Sequence, residues 1–299
     1  MGLGNRKVQV LMSTYNGEKY LAGQLDSLLT QEWEDLELLI RDDGSSDGTQ
    51  GILEDYHRRY QNIQLFFGEN MGVARSFFVL LAHSDADYVA FCDQDDVWEP
   101  TKIAESVRSL EAEQGPALYC SNTLLVDEHL NPCGIGRTKT PRIGFGNAVV
   151  ENICTGCTMV INRELASQIK GRIPKEAVMH DWWIYLVACY LGGVRYDPTP
   201  RIRYRQHSGN VVGESNGILG RLRHKAAYVR KNRGKLRRQL AEFSSLYQGD
   251  PQKDQLVQDI LDAERWPKRL KMAKDSRIFR QDALDGMVMR LLLLIGWMP

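Results

Sequence analysis

The acidic residues of this chain cluster where chemistry would need them. Asp93, Asp95 and Asp96 fill three of the four positions of DQDD, directly after the apolar run YVAFC. In an extended segment residues i and i+2 point to one face, so Asp93 and Asp95 can reach one site. Three carboxylates this close repel one another unless a cation sits among them. Mg2+ and Mn2+ take oxygen ligands and usually draw only one or two from carboxylates. A solvated turn is the plainer alternative. A second acidic stretch, RDDGSSDGT over 41–49, follows the apolar run LELLI and precedes the helical pattern ILEDYHRRY. Counted from Asp43, it reads D-x-S-x-D-G-x5-E and ends at Glu54, close to a calcium loop. Three features oppose that reading. LELLI reads as a strand rather than an entering helix, Ser45 is a weaker third ligand than Asp or Asn, and no second loop of this pattern occurs. The stretch reads better as a strand-end turn holding a ligand. Ser46 or Asp47 can cap the next helix while Asp42 is left for function.

Such groups need a frame that brings distant positions together. VQVLMSTYN, LELLIRDD, NIQLFFGEN and DYVAFCDQDD read as buried strands, each ending in a polar turn. EKYLAGQLDSLLTQ, TQGILEDYHRRY and VARSFFVLLAHS lie between them with apolar residues at helical spacing. Strand–helix alternation with continuously apolar strands predicts a parallel sheet with helices on both faces. Ligands of open α/β sheets bind at the carboxyl ends of the strands, so four polar turns are expected to converge on one pocket. Further strands are expected in ALYCSNTLLVD and CTGCTMVIN, and an apolar helix after MHD in MHDWWIYLVACYLGG. From about Ile218 the composition turns charged and helix-prone. This predicts one domain over 1–217 and a helical subdomain over 218–299.

Composition sets outer limits. The 299 residues carry 38 Lys and Arg against 38 Asp and Glu, so net charge gives no case for a nucleic-acid partner. No apolar leader precedes VQVLMSTYN and no apolar run is long enough to span a bilayer, which implies a cytoplasmic protein. Cys92, Cys120, Cys133, Cys154, Cys157 and Cys189 read mostly as reduced, buried small hydrophobes. Cys154 and Cys157 have CxxC spacing, but no second pair or His pair completes a zinc site.

STYNGEKYL, DDGSSDGT, ENMGVARSF and FCDQDDVWEP, in this order, resemble an inverting family-2 glycosyltransferase with the GT-A fold. This is a Rossmann-like, mostly parallel sheet with flanking helices, here followed by a C-terminal helical segment. The likeness spans roughly residues 6–215. DQDDVW, HDWW and YRQHSGNVVG resemble more narrowly the bacterial rhamnosyltransferases that use dTDP-L-rhamnose to build cell-wall or surface polysaccharides. The resemblance implies a bound Mg2+ or Mn2+ with Asp95 as ligand, and Asp93 on the nucleotide sugar. Asp96 would assist or cap a helix near Glu99. Asp42 would accept from the pyrimidine N3–H, a contact suited to an acceptor-only carboxylate and equally open to thymine or uracil. Thr14, Tyr15 and Asn16 would form the base site, with Tyr15 stacking, and Glu18 belongs to the same motif. Arg75 would counter phosphate or position Asp42. Asp181 would be the base that takes the acceptor proton, with His180 in place of a more usual Glu. Trp182 would form an apolar wall, whereas Trp183 reads as core. Arg203, Arg205, Gln206 and His207 resemble the loop that closes over the diphosphate, with His207 as a metal ligand or phosphate partner. Thr155 and Gly156 would lie beside the acceptor.

The segment RLRHKAAYVRKNRGKLRRQL from Arg221 is strongly basic, and GMVMRLLLLIGWM near the end is apolar. Together they suggest contact with the inner face of an anionic membrane, where lipid-linked acceptors reside, or a homodimer contact. The expected activity is transfer of L-rhamnose from dTDP-L-rhamnose to a saccharide acceptor, expected to be lipid-linked. A UDP-hexose donor, or a sugar-nucleotide-binding protein without turnover, are the alternatives. A nucleotidyltransferase would carry a Gly-rich basic loop after its first strand, and STYNGEKY is not one.

Overall fold

A computed structural model describes residues 6–207 and 234–296. The chain divides into two compact units, one of 6–140, 154–173 and 179–207, the other of 141–153, 174–178 and 234–296. The composition-based division at 217/218 lies outside the described residues. The second unit also takes two segments from earlier in the sequence, which composition does not reveal.

In the first unit nine strands form one sheet: β1 (Val8–Thr14), β2 (Leu36–Asp42), β3 (Ile63–Phe67), β4 (Tyr88–Cys92), β5 (Val97–Trp98), β6 (Ala117–Val126), β7 (Pro132–Ile135), β8 (Val160–Asn162) and β9 (Gly193–Arg205). Their order is β3-β2-β1-β4-β8-β6-β9-β5, with β7 off this path and pairing antiparallel with β6. The first four strands are parallel, and the helices α1 (Leu21–Leu29), α2 (Thr49–Arg59) and α3 (Val73–His83) cross between them. Antiparallel joins begin where β8 meets β4 and β6, while β6 and β9 run parallel.

Parallel register fixes where the strands end. Thr14 pairs with Asp42, Asp42 with Phe67, and Met12 with Cys92, so β1 to β4 give out side by side. Their apolar runs are buried: Val8, Val10, Met12, Leu38, Ile40, Ala90 and Cys92 share one core with Leu21, Leu25 and Leu28 of α1. Burying each of the Val, Leu, Ile and Met side chains among them stabilises by about 1.5–3 kcal/mol. α4 (Lys102–Glu111) and α6 (Arg163–Lys170) complete the cover, and Asn162 caps α6 by accepting from Leu165 N at 3.0 Å. α7 (His180–Leu191) buries nearly every residue, including Trp183, which is core as expected.

The second unit holds α5 (Phe145–Ala148), α8 (Lys235–Leu246), α9 (Pro251–Leu261), α10 (Trp266–Lys274) and α11 (Ala283–Ile295). Asp250 caps α9 by accepting from Gln252 N and Lys253 N, and Pro251 supplies a first-turn residue with no N–H to satisfy. Glu242 of α8 accepts from Lys175 N and Glu176 N, which ties 174–178 to these helices. Among the described residues no helix is long and apolar enough to cross a membrane.

Candidate active site

The turns after β1 and β2 are bonded to each other. Asn16, at φ 49°, accepts from Ser46 N through its side chain (2.8 Å) and donates its own N–H to Ser45 Oγ (2.9 Å). Glu18 accepts from Gly48 N (2.6 Å), and Asp47 accepts from Glu18 N (3.2 Å) and from the Thr49 hydroxyl (2.6 Å). Asp47 of RDDGSSDGT thus accepts from backbone and hydroxyl donors. Asn16 and Glu18, expected to face the donor, direct their side chains into this lattice. Tyr15 is left 48% exposed above it.

Asp42 differs from expectation. It is fully buried and accepts from Thr14 Oγ1 (3.0 Å), Ser45 N (2.9 Å), Ser45 Oγ (2.5 Å) and Gln50 Nε2 (2.8 Å). Two donors meet each oxygen, which fills a carboxylate's roughly four lone-pair positions. Burial pushes its carboxyl up, but the bonds from Ser45, Gln50 and Thr14 prevail and hold it below the ordinary range. A base N3–H would have to displace one of these donors. Nor does Arg75 position Asp42; it is exposed and forms no hydrogen bond or ion pair among the described residues. The arginine that organises this turn is Arg41. It pairs with Asp43 and donates to Glu69 O (3.0 Å), while Asp43 accepts from Met71 N (3.0 Å) and Gly72 N (2.9 Å) to hold the start of α3.

The turn after β4 carries the acids. Asp93 is half-buried, and its carboxyl is pushed up to about 7 by burial and then by the charges of Asp95 and Asp181, against a hydrogen bond from Cys157. Asp181, on the first turn of α7, thus lies within electrostatic reach of the DQDD turn from 88 positions away in sequence. Its place at a helix N-terminus suits a carboxylate. Gly156 lies against it: a Cβ there would sit 3.5 Å from Asp181 Cβ and 2.8 Å from His180 Nε2. Thr155, exposed beside it, starts the same turn, and Trp182 is half-buried. His180 does not line an open acceptor side. It is 3% exposed, wedged against Phe77 (4.1 Å) and Phe91 (5.7 Å), and burial lowers its pKa to about 3, so it is neutral.

Asp95 and His207 meet directly, Oδ2 to Nε2 at 2.9 Å. His207 arrives just past the end of β9 and packs on Tyr20. Arg205 does not face open space. It is 6% exposed, its guanidinium lies 4.4 Å over Tyr20, and its Nε donates to Asp95 O (2.8 Å) and its Nη1 to Glu128 O (2.6 Å). Arg205 N also donates to Asp96 Oδ1 (3.0 Å). Arg205 therefore braces the acidic turn. Arg203 pairs with Glu99, and Gln206 N donates to Val126 O. Asp96 is buried and does not cap a helix.

Sequence reasoning passed over Gln94. Its Oε1 accepts from Tyr15 N (2.8 Å) and its Nε2 donates to Tyr15 O (3.1 Å), which clips the β1 turn to the β4 turn. Gly17 makes the room, since a Cβ there would lie 2.4 Å from Gln94 Oε1. The only sequence signal was the amide's place between two aspartates. Beneath the turn, Lys102 is completely buried with its Nζ 3.3 Å from the Trp98 ring centroid, and burial lowers its pKa to about 7.

A divalent cation fits these residues. Asp93, Asp95 and Asp181 crowd negative charge together, and Asp95 with His207 offers adjacent oxygen and nitrogen donors. Asp93, Asp96 and Cys157 also bring donor atoms within 4.8 Å of one another, and Asp96 Oδ2 is a buried oxygen without a hydrogen bond. Burial and the neighbouring acids push the Cys157 thiol well up, so it stays protonated. The carboxylates of Asp93 and Asp96, and the adjacent Asp95 and His207, are thus the candidate ligands for a hard cation. Cys154 contacts Cys120 rather than Cys157, and all six cysteines are free thiols.

Comparison with known proteins agrees with this frame. Residues 9–169 match the family model described as glycosyl transferase family 2. The dTDP-rhamnosyl transferase RfbG of Shigella flexneri is 30% identical over 78% of this chain and 86% of its own length. The putative teichuronic acid biosynthesis glycosyltransferase TuaG of Bacillus subtilis is 29% identical over 54% of this chain and 65% of its own. The crystal structure of S. aureus TarS 1-349 in complex with UDP-GlcNAc superposes with a TM-score of 0.61 at 16% identity, covering 98% of this chain and 82% of that one. With a match over more than half its length and the strand-end architecture described above, this chain belongs to glycosyl transferase family 2 and has the GT-A fold.

Proposed function

We propose that the protein is an inverting rhamnosyltransferase that moves L-rhamnose from dTDP-L-rhamnose to a saccharide acceptor in surface-polysaccharide synthesis. The observation that carries the chemistry is that the charge of Asp181 acts on Asp93 of the DQDD turn. The acceptor hydroxyl attacks the anomeric carbon opposite the diphosphate. Asp181 takes the hydroxyl proton as the new glycosidic bond forms, and the nucleoside diphosphate departs with the bonding electrons of the old one. A β-linked donor then gives an α-rhamnoside. Asp95 and His207 would hold Mg2+ or Mn2+. Bound there, the cation neutralises the charge developing on the leaving diphosphate. Asp93 would contact the nucleotide sugar, and exposed Tyr15 would stack on the base. The turn after β2, with Asp42 at its root, would support the base from below.

The donor assignment is supported by the identity to RfbG across most of both chains. Its test is a thermal-shift series of nucleotide sugars with and without Mg2+ or Mn2+. Selective stabilisation by dTDP-rhamnose is expected, and selective stabilisation by a uridine sugar overturns the rhamnose assignment. Asp95→Asn and Asp181→Asn should each lose most transfer. Asp95→Asn should also lose cation-dependent nucleotide binding, whereas Asp181→Asn should keep it. Wild-type transfer by Asp181→Asn removes that residue from the role of base.

A further inference from the structure

α11 presents apolar side chains on both of its sides. Met289 and Leu293 face inward and are buried. Leu284, Met287, Val288, Leu291 and Ile295 recur at three- and four-residue spacing, which gathers them into one stripe on the opposite side. That stripe is open: Leu284 is 67% exposed, Met287 59% and Leu291 58%. No charge interrupts it. Asp285 lies off the stripe, and Arg290 turns away to donate to the carbonyls of Ala273 and Ile278. The helix is properly terminated, with Asp282 accepting from Asp285 N and Gly296 in the left-handed region at its end. An ordered helix with an uninterrupted apolar outer stripe marks an interaction surface.

Charge selects the occupant. Residues 265–296 contain eight Lys and Arg against three Asp. Exposed Arg265, Lys271 and Lys274 form no side-chain hydrogen bond or ion pair among the described residues, though the charge of Lys271 also acts on Asp259 and Asp275. On α10, helical spacing puts Lys271 and Lys274 on the exposed side with Leu270, opposite buried Met272 and Ala273. A second copy meeting this surface would bring the same excess of cations against itself. An anionic bilayer surface complements both features, taking the stripe among its acyl chains and the lysines at its headgroups. At 13 residues, α11 is about 20 Å long, too short to cross a hydrocarbon core of about 30 Å and suited to lying in its surface.

We propose that α11, with the lysines of α10, docks this protein on anionic membrane surfaces. The inference does not depend on donor or catalysis. The test is flotation of the full chain with phosphatidylcholine vesicles and with vesicles enriched in phosphatidylglycerol. The wild type should float with the anionic vesicles and much less with the neutral ones. Leu284→Asp/Leu291→Asp should reduce flotation by roughly tenfold or more. Lys271→Glu/Lys274→Glu should lose the preference for anionic lipid. All four positions are exposed, so circular dichroism and melting temperature should stay at wild-type values in both double variants. Light scattering after gel filtration addresses the other occupant. A wild-type dimer that Leu284→Asp/Leu291→Asp converts to monomer, without flotation of the wild type, assigns the stripe to a second copy and overturns the proposal. Equal flotation of wild type and Leu284→Asp/Leu291→Asp overturns it as well.

Discussion

Gln94 gives the sharpest test of how the donor pocket is built. Its amide makes two hydrogen bonds to the Tyr15 peptide, at 2.8 and 3.1 Å, and they join turns 79 positions apart in sequence. A hydrogen bond of this kind contributes about 0.5–1.5 kcal/mol net. Gln94→Ala should therefore cost about 1–3 kcal/mol of order in the Tyr15 turn. If the nucleotide needs that turn in place, its affinity falls by a factor of about 5–140, since 1.4 kcal/mol is tenfold. Calorimetric titration with dTDP in the presence of Mn2+ measures this directly. Gly17→Ala provides the control, because its new Cβ would take the space the Gln94 amide occupies. It should weaken dTDP binding similarly, and the double variant should be no worse than either single one. Additive losses would mean that the two residues act separately. Wild-type affinity in Gln94→Ala would mean that the clip has no bearing on the nucleotide.

Other outcomes follow from buried polar groups. Lys102→Met should stabilise the fold by about 1 kcal/mol and raise the melting temperature by a few degrees, because it removes a fully buried amine that forms no hydrogen bond. A drop in melting temperature would show that its contact with the Trp98 ring outweighs desolvation. His180 is held neutral in the fold by burial, with a pKa near 3 against 6.5 when free. Between these values the unfolded chain binds a proton that the folded one does not. Stability should fall as pH drops below about 6.5, by about 1.4 kcal/mol per pH unit from this residue. His180→Phe should flatten that slope relative to wild type in urea titrations at pH 4–7, and an unchanged slope would contradict the burial argument. Gln50→Ala frees one lone-pair position on Asp42. It should lower stability by about 1 kcal/mol and leave dTDP affinity unaltered, whereas tighter binding would show Asp42 accepting from the base after all.

The frame was legible because its signals are local. Four apolar runs each long enough for a buried strand, separated by helical periodicity, allow few arrangements other than parallel crossover units. The register Thr14 to Asp42 and Met12 to Cys92 then brings the polar turns together, as their places at strand ends imply. What escaped is side-chain traffic between distant positions. Nothing in DDGSSDGT says that Gln50 and Thr14 will fill Asp42, or that Asp43 rather than Asp42 takes the arginine. His180 reads as polar, yet Phe77 of α3 and Phe91 of β4 enclose it through contacts with α7 that periodicity does not encode. The second unit likewise draws on 141–153 and 174–178, whose membership rests on bonds such as Glu242 to Lys175.

The contact between Asp95 and His207 joins residues 112 positions apart, and Arg205 braces the same turn from the same strand. During synthesis the parallel strands β1 to β4 can pair as they emerge, but the last partner of Asp95 leaves the ribosome only after β9 has been made. Contacts of such long separation form late. A nascent or truncated chain would carry the acidic turn without its imidazole or its guanidinium brace. On the proposed ligation by Asp95 and His207, full cation affinity should then appear only once β9 has joined β6, so that ion uptake would report completion of the sheet.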